Sequence, residues 1–385
     1  MKKVVQGIRD NAMVIILFLV VIFFSIQTQG KMLIPANFHN LIAQNAYVYF
    51  LGAGMLICML TGGNIDLSVG SVVGLIGAVG GTLMVTKGWP ISISVIVLLL
   101  IGVIVGVWQG FWISYMNIPP WIVTLAGFLS FRGLCTAILQ GLTIAPIPAK
   151  FVNAFNGALP DIQVGNIKVI CMTIGVLACV VLVAIEFKDR MTKLKKNYEV
   201  QSLSSMVVKL VIICAVILVY FFKLSSYMGL PYIVVWLAVI LLAYNFLLSK
   251  TTLGRSYYAM GGNAEAARLS GIDTKKIYFM AYVNMALLAT FTGLVVTARL
   301  TSATPTAGNV YEMDAISACI VGGVSAYGGS GTIAGMMVGG TLVGVINLGM
   351  SITGVDANWQ KVVKGIVLLV AVVFDILNKK DTKKS

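Results

Sequence analysis

The chain has 385 residues, of which 59% are hydrophobic and only 10% charged, and its mean hydropathy is +0.96. So little polar surface cannot cover a water-soluble globule of this size, whereas a bilayer accepts it. The formal net charge of +14 is then a matter of which membrane face the cations occupy, and no nucleic-acid partner is expected.

Twelve apolar segments follow along the chain, at about 12–29, 41–60, 67–86, 91–113, 120–140, 167–186, 207–223, 230–248, 278–299, 313–327, 332–350 and 359–377. Each approaches the roughly 20 residues that an α-helix needs to cross the hydrocarbon core. The first follows Lys2, Lys3 and Arg9, but no Ala-x-Ala-like cleavage site comes after it, so it reads as a retained span. The third and tenth are rich in glycine, as expected of broken or re-entrant helices. The expected fold is all-α: a polytopic transmembrane bundle of about 10–12 segments in a single domain, 1–385.

If all twelve segments cross, alternate loops share a side. Most of the 27 lysines and arginines then fall with the N-terminus, chiefly in the 188–196 cluster, the 250–276 loop and the C-terminal tail. The other side receives Lys31, Lys87, Lys150, Lys168, Lys223, Arg299, Lys361 and Lys364. The positive-inside rule puts both termini in the cytoplasm.

His39 is the one histidine, and the six cysteines all sit in apolar runs without Cys-x-x-Cys spacing. No metal site, disulfide framework or cofactor is expected. No Gly-x-x-x-x-Gly-Lys-Ser/Thr loop occurs, so the chain has no nucleotide site of this type and is not expected to be an enzyme.

Four polar features stand out. The first is Thr61-Gly-Gly-Asn-Ile-Asp-Leu-Ser-Val-Gly70, where Asp66 either caps the following helix or, with Asn64, lines a path. The second is Arg132, mid-segment, which must face protein or a watery cavity. It is assigned equally to structural support or to the path. Asn64, Asp66, Ser68, Asn117, Thr124, Arg132 and Asn347 are the path candidates, with interhelical hydrogen bonding the competing role for the amides.

The third feature is the inner loop 250–277. Asn263 is placed as an N-cap, Ala264 to Ser270 as a two-turn helix and Gly271 as its stop. So short a helix needs something to dock on. The fourth is Gly322-Gly-Val-Ser-Ala-Tyr-Gly-Gly-Ser-Gly331, which serves either close helix packing or a functional break. Asp66, Glu312, Asp314 and Asp356 are read at span ends or loops, which argues against an ion-gradient-driven secondary transporter.

These residues carry a resemblance. Gly62-Gly-Asn-Ile-Asp-Leu-Ser-Val-Gly70 resembles a segment of the permease subunits of bacterial ATP-binding-cassette sugar importers of the ribose, xylose and galactose type. Pro119-Pro-Trp-Ile-Val-Thr-Leu125 with Arg132-Gly133 is similar to a second block. Met260-Gly-Gly-Asn263 through Ile272 is similar to a third, and Val321-Gly-Gly323 through Lys364-Gly365 to a fourth. A Lys-rich loop and an extra pair of segments at about 150–230 point to the longer xylose or multiple-monosaccharide members.

The resemblance implies an importer of a monosaccharide in the bacterial plasma membrane. Its implied partners are cytoplasmic ATP-binding subunits, an external sugar-binding protein and a second permease copy. The ATPase-coupling residues would be Gly254, Arg255, Gly261, Asn263, Glu265, Ala266, Ala267, Arg268, Ser270 and Gly271. A nucleoside or signalling-molecule cargo is the alternative within the family.

Overall fold

The computed structural model describes residues 12–198, 200 and 202–382. Lys2, Lys3, Arg9, Lys383 and Lys384, which enter the orientation argument, lie outside the described residues.

In chain order the helices are α1 (Ala12–Gln27), α2 (Pro35–Leu60), α3 (Val69–Gly81, prolonged by a π turn over Thr82–Thr86), α4 (Ile91–Ser114) and α5 (Pro120–Leu139). A short α6 (Ala149–Asn156) and a two-stranded hairpin, β1 (Gln163–Val164) and β2 (Ile167–Lys168), precede the pair α7 (Val169–Lys195) and α8 (Leu203–Ser225). Then come α9 (Tyr232–Lys250), α10 (Thr252–Gly262), α11 (Ala264–Leu269) and α12 (Thr274–Leu300). The last three are α13 (Tyr311–Val321), α14 (Ile333–Ile352) and α15 (Ala357–Thr382). Among the described residues, nine helices are long and apolar enough to cross a membrane, and the chain is a polytopic helical membrane protein.

α2 is buried on every face from Asn45 to Leu60, as its all-round apolar sequence demands, and so forms the axis of the bundle. Around it pack α12, α13, α14, α9 and α8, while α12 also covers α3 and α4. Glycines set the closest approaches. A Cβ on Gly106 of α4 would lie 2.7 Å from Val283 Cα of α12. One on Gly335 of α14 would lie 2.2 Å from the Gly322 carbonyl oxygen at the end of α13. Small residues let membrane helices meet backbone to backbone where no hydrophobic force drives them together.

The extra pair expected near 150–230 is α7 and α8. They pack on each other and join the bundle through α8 against α2. Their outward faces, including Val180, Val181, Ile185, Val211, Ile212 and Val219, are exposed, which suits contact with lipid tails. The α6 helix and the β hairpin were not legible as apolar segments. They form a small cover tied to the turn before α9 by the antiparallel bridge Ala158–Pro231.

Alternation of the helices sorts the connections into two ends. Residues 61–68, 115–119, 196–198, 251–273 and 322–332 share one end, which also carries the basic stretches 188–196 and 250–276. Residues 28–34, 87–90, 140–168, 226–231 and 353–356 share the other, where 301–310 enters the bundle. The two glycine-rich segments behave differently from each other. α3 is continuous, whereas α13 stops after 11 residues and is separated from α14 by the non-helical stretch 322–332.

Candidate functional site

Both glycine clusters and the 250–277 loop meet at one point. Gly329 N–H donates to the Leu60 carbonyl at the end of α2, at 3.1 Å. A Cβ on Gly63 would lie 2.1 Å from the Ala326 carbonyl oxygen, and one on Gly261 of α10 would lie 1.9 Å from the Leu60 oxygen and 2.1 Å from Gly329 N. Gly63, Gly328 and Gly329 have φ of 76°, 89° and 72°, the left-handed region that glycine adopts without steric cost. Tyr258 of α10 donates to the Gly331 carbonyl at 2.7 Å, and Tyr278 of α12 to the Thr61 carbonyl at 3.1 Å. The 250–277 loop is therefore seated directly on the break after α2 and the break after α13.

The loop itself follows the expected local chemistry. The Asn263 side chain accepts from Ala266 N–H at 3.0 Å and opens α11, which ends at Leu269, with Gly271 following at φ 87°. Arg268 and Glu265 pair on the exposed face at 2.6 Å, and these hydrogen bonds hold the Glu265 carboxyl below its ordinary value. Ala267 is buried, whereas Leu269 is 76% exposed, an apolar tip with no cover from this chain. The preceding helix α10, capped by Thr251 through Gly254 N–H, was not foreseen; Gly254 there packs against the Leu247 and Leu248 carbonyls. Arg255 and Ser270 stand exposed on the same end, and the Ala266 carbonyl accepts from Ser270.

The path candidates do not form one surface. Asp66 is buried and accepts from Ser68 N–H at 2.8 Å and Ser68 Oγ at 2.7 Å, closing the turn ahead of α3. Gln109 of α4 donates to the same Ser68 hydroxyl at 2.5 Å, and Gly127 of α5 packs over both. Thr124 is buried in the second turn of α5. Asn64 turns back to Thr61 Oγ1 at 3.2 Å. Asn117 is an exposed turn residue with φ 56°, before Pro119. Asn347 donates to Asn45 Oδ1 at 3.2 Å, an interhelical bond between α14 and α2.

Arg132 receives a definite structural role. Its guanidinium Nη1 donates to the carbonyls of Pro305 at 2.9 Å and Ala307 at 2.7 Å, so it satisfies backbone groups of the non-helical stretch that leads into α13. Its Nη2 is buried without a protein partner.

Two placements from the sequence are corrected. Lys364, read as an outer charge, is a half-buried residue of α15 that donates to Asp314 Oδ2 at 2.8 Å. Glu312 and Asp314, read at a span end, are buried at the start of α13 inside the bundle. Tyr47, midway along α2, donates to Asp314 at 2.5 Å and stacks on Tyr311 with ring centroids 3.6 Å apart. Because α13 is a half-length helix, its first turn starts at half depth, which hydropathy alone does not reveal.

The family model described as "Branched-chain amino acid transport system / permease component" matches residues 37–372. The xylose transport system permease protein XylH of Haemophilus influenzae is 36% identical over 96% of this chain and 96% of its own length. Its Escherichia coli K12 counterpart is 35% identical over 96% of this chain and 92% of its own. The ribose import permease protein RbsC of Bacillus subtilis is 32% identical over 93% of this chain and 90% of its own. No solved structure matches. The match over residues 37–372 and these relatives identify the chain as a member of the branched-chain amino acid transport system / permease component family.

Proposed function

We propose that this chain is the membrane subunit of an ATP-driven monosaccharide importer, with xylose the first cargo to test. The observation that carries this reading is similarity over 96% of the chain to proteins named xylose transport permeases. The seat of the 252–271 segment on both helix breaks supports it physically. A cytoplasmic ATP-binding subunit gripping α11, with the apolar tip of Leu269 and the Arg268–Glu265 pair, would displace α10 and, through the Leu60–Gly329 and Tyr258–Gly331 hydrogen bonds, both breaks together. Alternating access then follows from rigid-body movement of the broken helices.

An external binding protein would deliver sugar to the opposite end, and a second permease copy would complete the path. The termini would be cytoplasmic, on the side of the basic 188–196 and 250–276 stretches. The chain would serve as one membrane domain throughout, with α7 and α8 as a peripheral addition.

The deciding experiment reconstitutes the chain in proteoliposomes with its ATP-binding subunit and binding protein, then measures ATP hydrolysis stimulated by xylose, arabinose, galactose, glucose and ribose. Stimulation by one sugar establishes the importer and names its cargo. If an assembled complex responds to none of them, the monosaccharide assignment fails, and nucleosides and furanosyl signalling molecules are tested in the same assay.

A further inference from the structure

Residues 301–310, Thr-Ser-Ala-Thr-Pro-Thr-Ala-Gly-Asn-Val, are non-helical and follow the end of α12. They do not stay at the bundle's end. Ala303 packs at Gly81 of α3, the Ala307 carbonyl at Gly74 and the Gly308 carbonyl at Gly70, where a Cβ would lie 2.7, 2.9 and 2.1 Å away respectively. At 1.5 Å per residue, the distance from Gly81 to Gly70 is about 16 Å, or roughly half of the ~30 Å hydrocarbon core. The segment thus descends along a glycine stripe to the depth of Tyr47, where Tyr311 stacks and α13 begins.

The two sides of this segment differ in kind. Ala303, Ala307 and Gly308 are buried against α3. Thr301, Thr306 and Asn309 are exposed and Ser302 and Thr304 half-buried, with the Thr304 and Thr306 hydroxyls 3.2 Å apart. Irregular backbone at membrane depth survives only inside protein or along a water-filled cavity, so the exposed, hydroxyl-bearing side faces water rather than lipid. Beside it stand two buried polar groups without protein partners, Arg132 Nη2 and Glu312 Oε2, the latter on a residue only 6% exposed. Their formal charges balance. Hydroxyls and amides that both donate and accept, with no net charge, suit a neutral polyhydroxyl compound.

We propose that segment 301–310 is the cargo-reading wall of the translocation path, with Thr304, Thr306 and Asn309 exchanging hydrogen bonds with the hydroxyls of a neutral monosaccharide. This role rests on the importer function proposed above and adds residues to it that the sequence did not single out. Arg132 acts as a positioning residue, because it holds the segment through Pro305 and Ala307.

The test uses the full transporter in proteoliposomes. Thr306→Cys and Asn309→Cys are treated with a charged, membrane-impermeant methanethiosulfonate; of the six native cysteines, five are buried and Cys214 is half-buried. Modification at least tenfold faster than in the unsubstituted protein, slowed by cargo during turnover, is expected. No modification at either position would overturn the aqueous placement, and modification indifferent to every cargo would overturn cargo reading.

In parallel, Thr304→Val with Thr306→Val should lower uptake at least tenfold with the ATP-binding subunit still co-purifying, and Thr304→Ser with Thr306→Ser should restore it. Uptake at the unsubstituted rate in the valine variant would also sink the idea. If the valine variant fails to assemble, the cysteine arm decides. If the unsubstituted protein imports no sugar, the function proposed above fails, while cysteine modification still reports where the segment lies.

Discussion

Lys364 and Asp314, fifty residues apart in sequence, meet at 2.8 Å inside the bundle and join the last helix α15 to the half-length helix α13. With Tyr47 donating to the same carboxylate oxygen, Asp314 links three helices. Lys364→Met leaves a buried carboxylate short of its counter-ion, at a cost of about 3–5 kcal/mol. Lys364→Met combined with Asp314→Asn should recover most of that. Thermal unfolding in detergent of the two single variants and the double variant measures the coupling, and additive losses would show that the pair contributes nothing.

Arg132 is expected to act through backbone. Arg132→Met leaves the Pro305 and Ala307 carbonyls unsatisfied at membrane depth, at about 1–3 kcal/mol each. Arg132→Lys supplies one donor group without the planar fork and should fall between. Thermal stability of the three proteins orders them, and equal stability of the methionine and arginine forms would remove the anchoring role.

Asn263 gives a graded prediction at the other end. Asn263→Ala removes the cap of α11 and should cost about 1 kcal/mol of local helix stability, whereas Asn263→Asp should retain it. Since α11 has only 6 residues, its ordering would be coupled to docking on the proposed partner. Titration of the purified protein with the proposed ATP-binding subunit should show about fivefold weaker association for the alanine form and little change for aspartate.

The exposed pair on α11 is tested by charge reversal. Glu265→Lys with Arg268→Glu keeps the pairing within the helix, so insertion and folding should be unaffected. Recognition by a partner would change sign at both positions, and uptake should be abolished. Uptake at the original rate would remove these two residues from the docking surface.

The spans and the inner-loop helix were legible because their signals are local: apolar runs of the right length, an Asn before a helix-forming stretch and a glycine after it. Asp66 was read as a cap of the following helix or a path residue; it holds the Ser68 turn instead, ahead of a helix that starts at Val69 without a side-chain cap. Asn117 falls between the fourth and fifth apolar segments, as read, and an Asn two residues before Pro119-Pro120 is a turn signal from which its left-handed backbone could also have been read. Gly70, Gly74, Gly77 and Gly81 looked like a weakness in the third span. Their spacing puts them on one helix face, which is a packing signal, but what fills it, segment 301–310 at Gly70, Gly74 and Gly81 and Thr297 of α12 at Gly77, is more than 200 residues away. Lys364 and Asp314 were misread for the related reason that a half-length helix shifts depth without changing hydropathy.

The junction of Gly63, Gly261, Gly328 and Gly329 has a mechanical consequence. A joint lined by side chains can absorb a push by switching rotamers, so part of any displacement is lost within it. Here main chain bears on main chain, with no Cβ between, and the joint has no such slack. It works as a bare bearing: a shift of α10 would carry the ends of α2 and α13 with it, and under the proposed function a stroke applied at the loop would pass to both helices with little loss.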